Sequence, residues 1–425
     1  MFPHCLTMLF TPTRKAGLER LDEFVPRAGR AYANNRNHDD GEPADGGARR
    51  NVSQLSPWLQ CGLLSEREVI NAVLGHHSPV AAEKFIAEVF WRVYFKGYLE
   101  QHPSVWRRYC ETRSAALERV ENNPGLQKAY REAIEGRTGI EAFDHWASEL
   151  IETGYLHNHA RMWFASVWIF TLKLDWTLGA DFFLRHLVDG DSASNTLSWR
   201  WVAGLHTKGK TYLARPDNIA RYTANHPLGP LAALGLAEEA PALEEADEHP
   251  RIPLNWPRPV EQDALGEPYA LILHDGAASA EGLDMPQSPA IVIGAARPEA
   301  RSPGLVSERT RRFAQDAVQS GAREAAQTYG VPYAEWASEG TLSEALNIAG
   351  VESVVLPYLT QGWTRDALMP QLKPHIEGGR ARFALSELDR ATWPHAKAGF
   401  FGVKKRIESI LGELGVDGLE ASATF

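Results

Sequence analysis

Cysteine is nearly absent from this sequence. The 425 residues include three, Cys5, Cys61 and Cys110, with no C-x-x-C pair. That scarcity argues against a disulfide framework, a zinc site and a thiolate-held iron–sulfur cluster, and it suits a reducing compartment such as the cytoplasm. Long hydrophobic runs are missing too. The longest, residues 162–172, is too short for a membrane span and sits between Arg161 and Lys173. The opening residues, MFPHCLTMLFTPTRK, have no basic stretch before an apolar core, so no secretory signal is expected. No G-x-G-x-x-G follows a strand-like run, so a dinucleotide fingerprint is absent. Positive charge is in deficit, with 44 Lys+Arg against 54 Asp+Glu and a net charge of −10.

The deficit is uneven. Residues 1–225 carry 27 bases and 26 acids, a balance of +1, and residues 226–425 carry 17 and 28, a balance of −11. Lys208, Lys210, Arg215 and Arg221 cluster against Asp217 alone in 201–225. The first part can therefore present a local basic face while the acidity belongs elsewhere.

The hydrophobic pattern predicts an all-helical domain followed by a doubly wound, parallel-sheet α/β domain. Through residues 1–225, Trp, Leu, Phe and Ile recur at helical spacing, and nine of the 13 tryptophans lie there. Residues 226–266 turn to Pro, Ala and Glu and read as an exposed linker with one short helix. In 267–425, apolar runs at 269–274, 290–294, 353–357 and 381–385 read as buried strands. They alternate with helical stretches at 305–329, 341–349 and 365–376, and a final helix is expected at 397–415.

The densest chemistry lies in LVDGDSASNTLSWRW, residues 187–201. A calcium loop starting at Asp189 would need an oxygen ligand, a glycine and a glutamate where Ala193, Ser194 and Arg200 stand, so that reading fails. A second motif, GLHTKGKT at 204–211, matches the phosphate-cradling G-x-x-x-x-G-K-[ST]. It lacks a strand before it, and Pro216 follows closely, so a P-loop hydrolase is disfavoured. His157 and His159, two residues apart, point to different helix faces and make a poor metal pair. No metal site is expected.

Three helical faces look alike. Asp191, Asn195 and Trp199 form one stripe; Asn158, Arg161 and Met162 a second; Glu88, Trp91 and Arg92 a third. Each sets polar groups beside Trp or Met. Buried polar groups need partners, which are either one another or a large ligand with polar edges and a flat aromatic body. A flavin fits the second description.

These segments, in this order, resemble the FAD-binding domain of the photolyase/cryptochrome family across residues 12–223. The resemblance rests on PTRKAGLERLDEFVPRAGRAYANNRN, NVSQLSPWLQCGLLSEREV, TGYLHNHARM and RHLVDGDSASNTLSWRW. It implies that Tyr32, Val52, Ser53, Gln54, Leu55 and Ser56 line the FAD pyrophosphate and ribityl region, and that Arg92 contacts the phosphates. Arg161 and Asp189 would pair beside the ring, Asp191 would accept from its polar edge, and Asn195 would face N5. An Asn there leans toward repair. Glu88 and Asn158 would hydrogen-bond a flipped pyrimidine dimer, Trp91 and Trp201 would wall it, and Met162 would pack on it. Chemistry on a stacked base requires extrusion, and photolyases are themselves a standard example. Arg200, Lys208, Lys210 and Arg215 would hold flanking phosphates. Trp199 and then Trp176 would relay electrons to the flavin.

The family reading thus implies light-driven, FAD-dependent repair of damaged DNA, with a cryptochrome-like photoreceptor as the alternative. Several positions depart from the family pattern. Val120 stands where an outer tryptophan is usual, so either Tyr130, Trp146 or another aromatic completes the relay or photoreduction is impaired; Gln54 replaces an arginine, His159 an arginine and Phe85 a tryptophan. The α/β segment follows the helical part, whereas the family places its antenna domain first, so a circular permutation is expected. No pocket for a second chromophore is legible.

Overall fold

The computed structural model describes residues 9–43, 47–246, 248–255, 267–283 and 287–416. Twelve helices come first among them: α1 Arg14–Phe24, α2 Arg30–Asn35, α3 Ser56–Gln60, α4 Glu66–Leu74, α5 Pro79–Gln101, α6 Pro103–Asn122, α7 Pro124–Ile134, α8 Glu141–Thr153, α9 Asn158–Ser166, α10 Trp176–His186, α11 Ser192–Val202 and α12 Pro216–Tyr222. Their boundaries follow local chemistry. Ser65 and Glu68 close a capping box at α4, satisfying amide groups that the first helical turn leaves bare. Ser78 caps α5 ahead of Pro79, and Pro103 starts α6 because its missing N–H costs nothing at a first turn. α5 is the central element. Thirteen of its 23 residues are buried, so it is wrapped by neighbours on most sides. After α9 the backbone widens into a π-turn over Val167–Thr171, carrying Trp168 into the core.

The sheet comes from the second part: β1 Tyr269–His274, β2 Ile291–Ala295, β3 Tyr333–Glu335, β4 Ser353–Pro357 and β5 Ala381–Ala384, with α13 Glu308–Tyr329, α14 Leu342–Asn347 and α15 Trp363–Glu377 between them. The order is β3-β2-β1-β4-β5, all parallel, with Ala270 opposite Ile291 on one side of β1 and Val354 on the other. β1 and β2 are buried throughout, as strands covered on both faces must be, which is why they read as unbroken apolar runs. At Gly321 of α13 an added Cβ would stand 1.9 Å from the Ala278 carbonyl oxygen, so only glycine permits this approach of helix to loop.

The structure differs from expectation in three places. β3 is only three residues long and half-exposed, too short to give a periodic signal. The single helix expected at 397–415 is two short ones, α17 Phe401–Lys404 and α18 Ile407–Glu413, preceded by α16 Glu387–Thr392. The stretch 226–255 contains no helix among its described residues; prolines at 227, 230, 241, 250 and 253 interrupt it. Nor is it a free linker, because its backbone is tied down. Ala142 N–H donates to Ala232 O, Leu243 N–H to Ala203 O and Ile252 N–H to Gln101 O. Residues 256–266 and the end of the α/β part, 417–425, lie outside the described residues.

The two parts share a core. Trp393 and Phe400, from the end of the chain, belong to the same buried cluster as Phe90 and Val93 of α5. Gln101 Nε2 donates to the Trp393 and Ala396 carbonyls at 2.9 and 3.1 Å, and Ala278 N–H donates to Cys61 O at 2.7 Å.

Candidate functional site

The loop between α10 and α11 holds the site together. Asp191 caps α11, accepting from Ser194 N at 2.6 Å. This fixes the helix start and aligns Asn195, whose Nδ2 donates to Ala180 O at 2.9 Å. Two residues earlier, Asp189 Oδ2 accepts from Arg161 Nη2 of α9 at 2.8 Å and from Ser56 Oγ of α3 at 2.5 Å. Three segments far apart in sequence therefore meet on one carboxylate whose side chain is 1% exposed. Burial alone would raise the Asp191 carboxyl, but Arg92 and Lys96 of α5 and the Ser194 amide hold it below the ordinary carboxylate range.

Residues 52–56 lie between Asp189 and a buried arginine. Arg20 donates to the carbonyls of Arg49, Val52 and Ser53 at 2.7–2.9 Å, turning them inward. Gln54 sits at φ 52°, an uncommon conformation for a non-glycine residue. Its Oε1 accepts the Arg49 amide at 2.7 Å. Behind the loop, Arg49 pairs with Asp39 at 2.5 Å, with Glu42 at 3.2 Å and with Glu149, and all but Glu42 are buried. Burial pushes the Glu149 carboxyl up to about 8 despite Arg49. His157, wholly buried beside this cluster, is pushed down to about 3 by burial. An imidazole kept neutral in the fold but protonated when unfolded removes stability as pH falls from about 6.5 toward 3. His157→Gln should flatten the slope of unfolding free energy against pH in that window by one proton, about 1.4 kcal/mol per pH unit. Urea titrations at several pH values measure it; parallel slopes for the two proteins would refute it.

The residues expected against a lesion have these surroundings. Glu88 pairs with Arg36, whose guanidinium also lies over Tyr32 at 5.8 Å. Asn158, at the start of α9, is exposed, and Met162 one turn on is half-buried. Trp201 stacks on Tyr212 at 5.8 Å. Trp91 stacks on Phe400 at 4.0 Å, so one of its faces is covered by the C-terminal part. Lys208, Lys210 and Arg215 are exposed on the loops between α11 and α12.

One sequence expectation needs correction, and two other residues have neighbours the sequence did not indicate. Arg200 is buried and forks onto both oxygens of Glu245 at 2.7 and 2.9 Å, so it is not presented to a phosphate. Its partner lies in the strap after α12, which composition alone left as an exposed linker. Arg92 is turned toward Leu59 O at 3.3 Å and Glu66 at 3.6 Å. Trp176 lies beside Tyr109 at 5.8 Å, whereas the tryptophan in ring contact with Trp199 is Trp168, at 6.2 Å and nearly perpendicular. Trp168 in turn touches Tyr130 at 6.1 Å.

Sequence reasoning also missed Arg20, Arg36, Glu66 and Lys96. Lys96 had a signal, since Glu88, Arg92 and Lys96 share one helical stripe of α5. For Arg20 and Arg36 nothing local marks a partner tens of residues away. The P-loop reading falls away: residues 204–211 follow α11 directly, in turns, with no strand before them. Among the described residues no group of three or more His, Cys, Asp or Glu is placed to hold a metal, and no helix is long and apolar enough to cross a membrane.

A cavity of about 760 Å³ opens beside this site. Asp191, Ser192, Glu66 and Lys96 line it from the helical side, and His274, Pro357 and Ala384 from the carboxyl ends of β1, β4 and β5. This is the reversal point of the strand order, where open α/β sheets take ligands. His274 is held neutral there: burial pushes it down to about 4, Nδ1 accepts Gly276 N–H and Nε2 faces Pro357 O at 3.1 Å.

The residues fit a large polar cofactor. Asp189 Oδ1, Gln54 Nε2, Ser194 Oγ and Trp199 Nε1 are buried with no hydrogen-bond partner. All four belong to the Asp189–α11 stretch or the 52–56 loop, and each missing bond would cost roughly 1–3 kcal/mol if never made. A ligand with many hydrogen-bonding edges answers that cost.

Residues 85–226 match the family described as FAD binding domain of DNA photolyase. The deoxyribodipyrimidine photo-lyase of Escherichia coli is 30% identical over 214 residues, 48% of this chain and 42% of that protein. That of Thermus thermophilus is 33% identical over 201 residues, 47% of this chain and 45% of that protein. The chain thus spans less than half the length of these relatives. Among solved structures, a Synechocystis cryptochrome aligns at TM-score 0.42 and 24% identity over 53% of this chain and 47% of the other. A class III photolyase from Agrobacterium tumefaciens aligns at TM-score 0.39 and 25% identity, over 51% and 45%.

Proposed function

We propose that this chain, a member of the photolyase/cryptochrome family through its helical FAD-binding domain, repairs pyrimidine dimers in DNA by light-driven electron transfer. One observation carries the reading. Ser56, Arg161 and Asp189, from three distant segments, converge within hydrogen-bonding distance next to Asp191 and Asn195, and all of these but Ser56 lie in the residues that match an FAD-binding domain.

FAD, when bound, supplies light absorption and electron donation; the protein supplies position and field. Arg161 neutralises Asp189 and locks the loop before α11. Asp191, held ionised by Arg92 and Lys96, would accept from a polar edge of the cofactor. Asn195 is held by the Ala180 carbonyl at a fixed distance from Asp191. Loop 52–56, with the Val52 and Ser53 carbonyls turned to Arg20, would present its other side to the cofactor phosphates. On the open side, Glu88, Asn158, Met162, Trp91 and Trp201 would receive an extruded dimer. An aromatic wall contributes about 1–3 kcal/mol per stacked base. Electrons would reach the flavin through Trp199, and the ring contacts favour Trp168 and Tyr130 over Trp176 as the continuation. The cavity at the strand-order reversal would take a second flat chromophore.

The chain order supports a circular permutation: the sheet follows the helices in sequence, yet α16 and α17 return to pack on α5. The photoreceptor reading draws on the net charge of −10 and on Val120 at the position where the relay usually has its outer tryptophan.

Blue light on the flavin-loaded protein with dimer-containing oligothymidylate tests the proposal. Recovery of thymine absorbance is the expected result; a yellow protein that restores none would favour the photoreceptor. Glu88→Ala should lower repair at least tenfold while FAD content stays unchanged. A parallel loss of FAD would remove Glu88 from the lesion wall.

A further inference from the structure

The segment 397–406 reads KAGFFGVKKR: four bases, two phenylalanines and no acid, within a half of the chain whose balance is −11. It is anchored from beneath, since Val403 is fully buried and Phe400 is 8% exposed, stacked on Trp91 at 4.0 Å with the planes 18° apart. The Ala398 carbonyl accepts the Tyr94 hydroxyl at 2.6 Å, and the same hydroxyl meets His206 Nε2 at 2.8 Å. His206 opens the loop that carries Lys208 and Lys210. One phenol therefore joins this segment to the basic loop, while Phe400 joins it to Trp91.

Its outer side is different. Phe401 is 73% exposed, with Lys405 Nζ 5.9 Å from its ring centre. Lys397, Lys405 and Arg406 are exposed, and Lys404 is held by Glu83 at 3.2 Å. A single exposed phenylalanine means little. One set among exposed cations on a rigid base, continuous with a second basic loop, matches how single-stranded or extruded nucleic acid is held: cations along the backbone and an aromatic face for a base.

We propose that residues 397–406 form a second DNA-contacting rim, with Lys397, Lys405 and Arg406 on backbone phosphates and Phe401 against a base near the lesion. The inference rests on the reading that this protein acts on DNA. It makes the C-terminal part a component of the substrate face as well as a neighbour of the flavin domain. The acidic remainder of that part would confine DNA to this edge.

Anisotropy of labelled oligothymidylate, irradiated or not, titrated with the full flavin-loaded chain between 50 and 200 mM salt, tests it. Neutralising three cations in Lys397→Gln/Lys405→Gln/Arg406→Gln should reduce the slope of log affinity against log salt by about 2, at about 0.7 per single-strand phosphate contact. Affinity at the low-salt end should fall at least tenfold. Phe401→Ala should weaken binding about fivefold or more, the low end of one base stack. All four positions are exposed, so thermal midpoint and FAD content should stay at wild-type values, which separates lost contact from lost fold. A wild type that binds with salt dependence and a triple variant that binds identically would overturn the rim and leave DNA action standing. A wild type that binds no DNA would overturn the DNA reading, and the rim with it. Vesicles containing phosphatidylserine provide the third arm: cation-dependent vesicle binding with unchanged DNA binding would assign the segment to a membrane surface and overturn the proposal.

Discussion

Arg49→Met should lower the free energy of unfolding by about 3–5 kcal/mol, the range for removing one partner of a buried ionic group. Arg49 is 1% exposed and lies between Asp39, at 0%, and Glu149, at 7%. Methionine fills similar space but leaves both carboxylates facing each other without a cation. They must then take up protons or draw in water, and either costs stability. Burial and the neighbouring acids already push the Glu149 carboxyl up, whereas Arg49 holds Asp39 low, so most of the penalty falls on Asp39. The loss should therefore shrink as pH falls and Asp39 becomes neutral in both states. Urea unfolding followed by circular dichroism at pH 7 and pH 5 measures both effects. A loss below about 1 kcal/mol at pH 7 would mean that solvent reaches the cluster more freely than its burial implies.

Asp189→Leu should abolish flavin retention, with FAD content of the purified protein down at least tenfold. The substitution strips the shared acceptor from Arg161 and Ser56 and leaves a guanidinium that is 24% exposed facing an apolar side chain. Each stranded donor costs roughly 1–3 kcal/mol. Asp189→Asn keeps the shape and one acceptor oxygen, so it should retain more FAD than the leucine variant and unfold later. Absorbance of the bound flavin after desalting reads the content directly. Equal occupancy in wild type and leucine variant would mean the carboxylate plays no part in holding the cofactor.

Much of this architecture could be read before any coordinates. The runs at 269–274 and 353–357 match their strands residue for residue, because strands buried on both faces leave no polar break in the chain. Asp191, Asn195 and Arg161 could be picked out because helical spacing and indole neighbours mark a polar stripe inside an aromatic domain. What stayed hidden depends on long-range placement. Arg200 looked like a rim cation because nothing nearby shows that Glu245, 45 residues on, folds back over it. Trp168 went unremarked because spacing cannot show that the π-turn at Val167–Thr171 sets it against Trp199. The prolines after residue 226 correctly signalled an end to regular structure, but their composition said nothing of the carbonyls waiting at Ala203 and Gln101.

The return of the chain's last helices to α5 also bears on synthesis. Gln101 and its acceptor at Trp393 are 292 residues apart. At about 5–20 residues per second, a ribosome needs roughly 15–60 s to bridge that distance. Throughout that interval the nascent helical module holds an open apolar trough where Trp393 and Phe400 will later seat. The helical module therefore completes its own core only after the α/β part has been made.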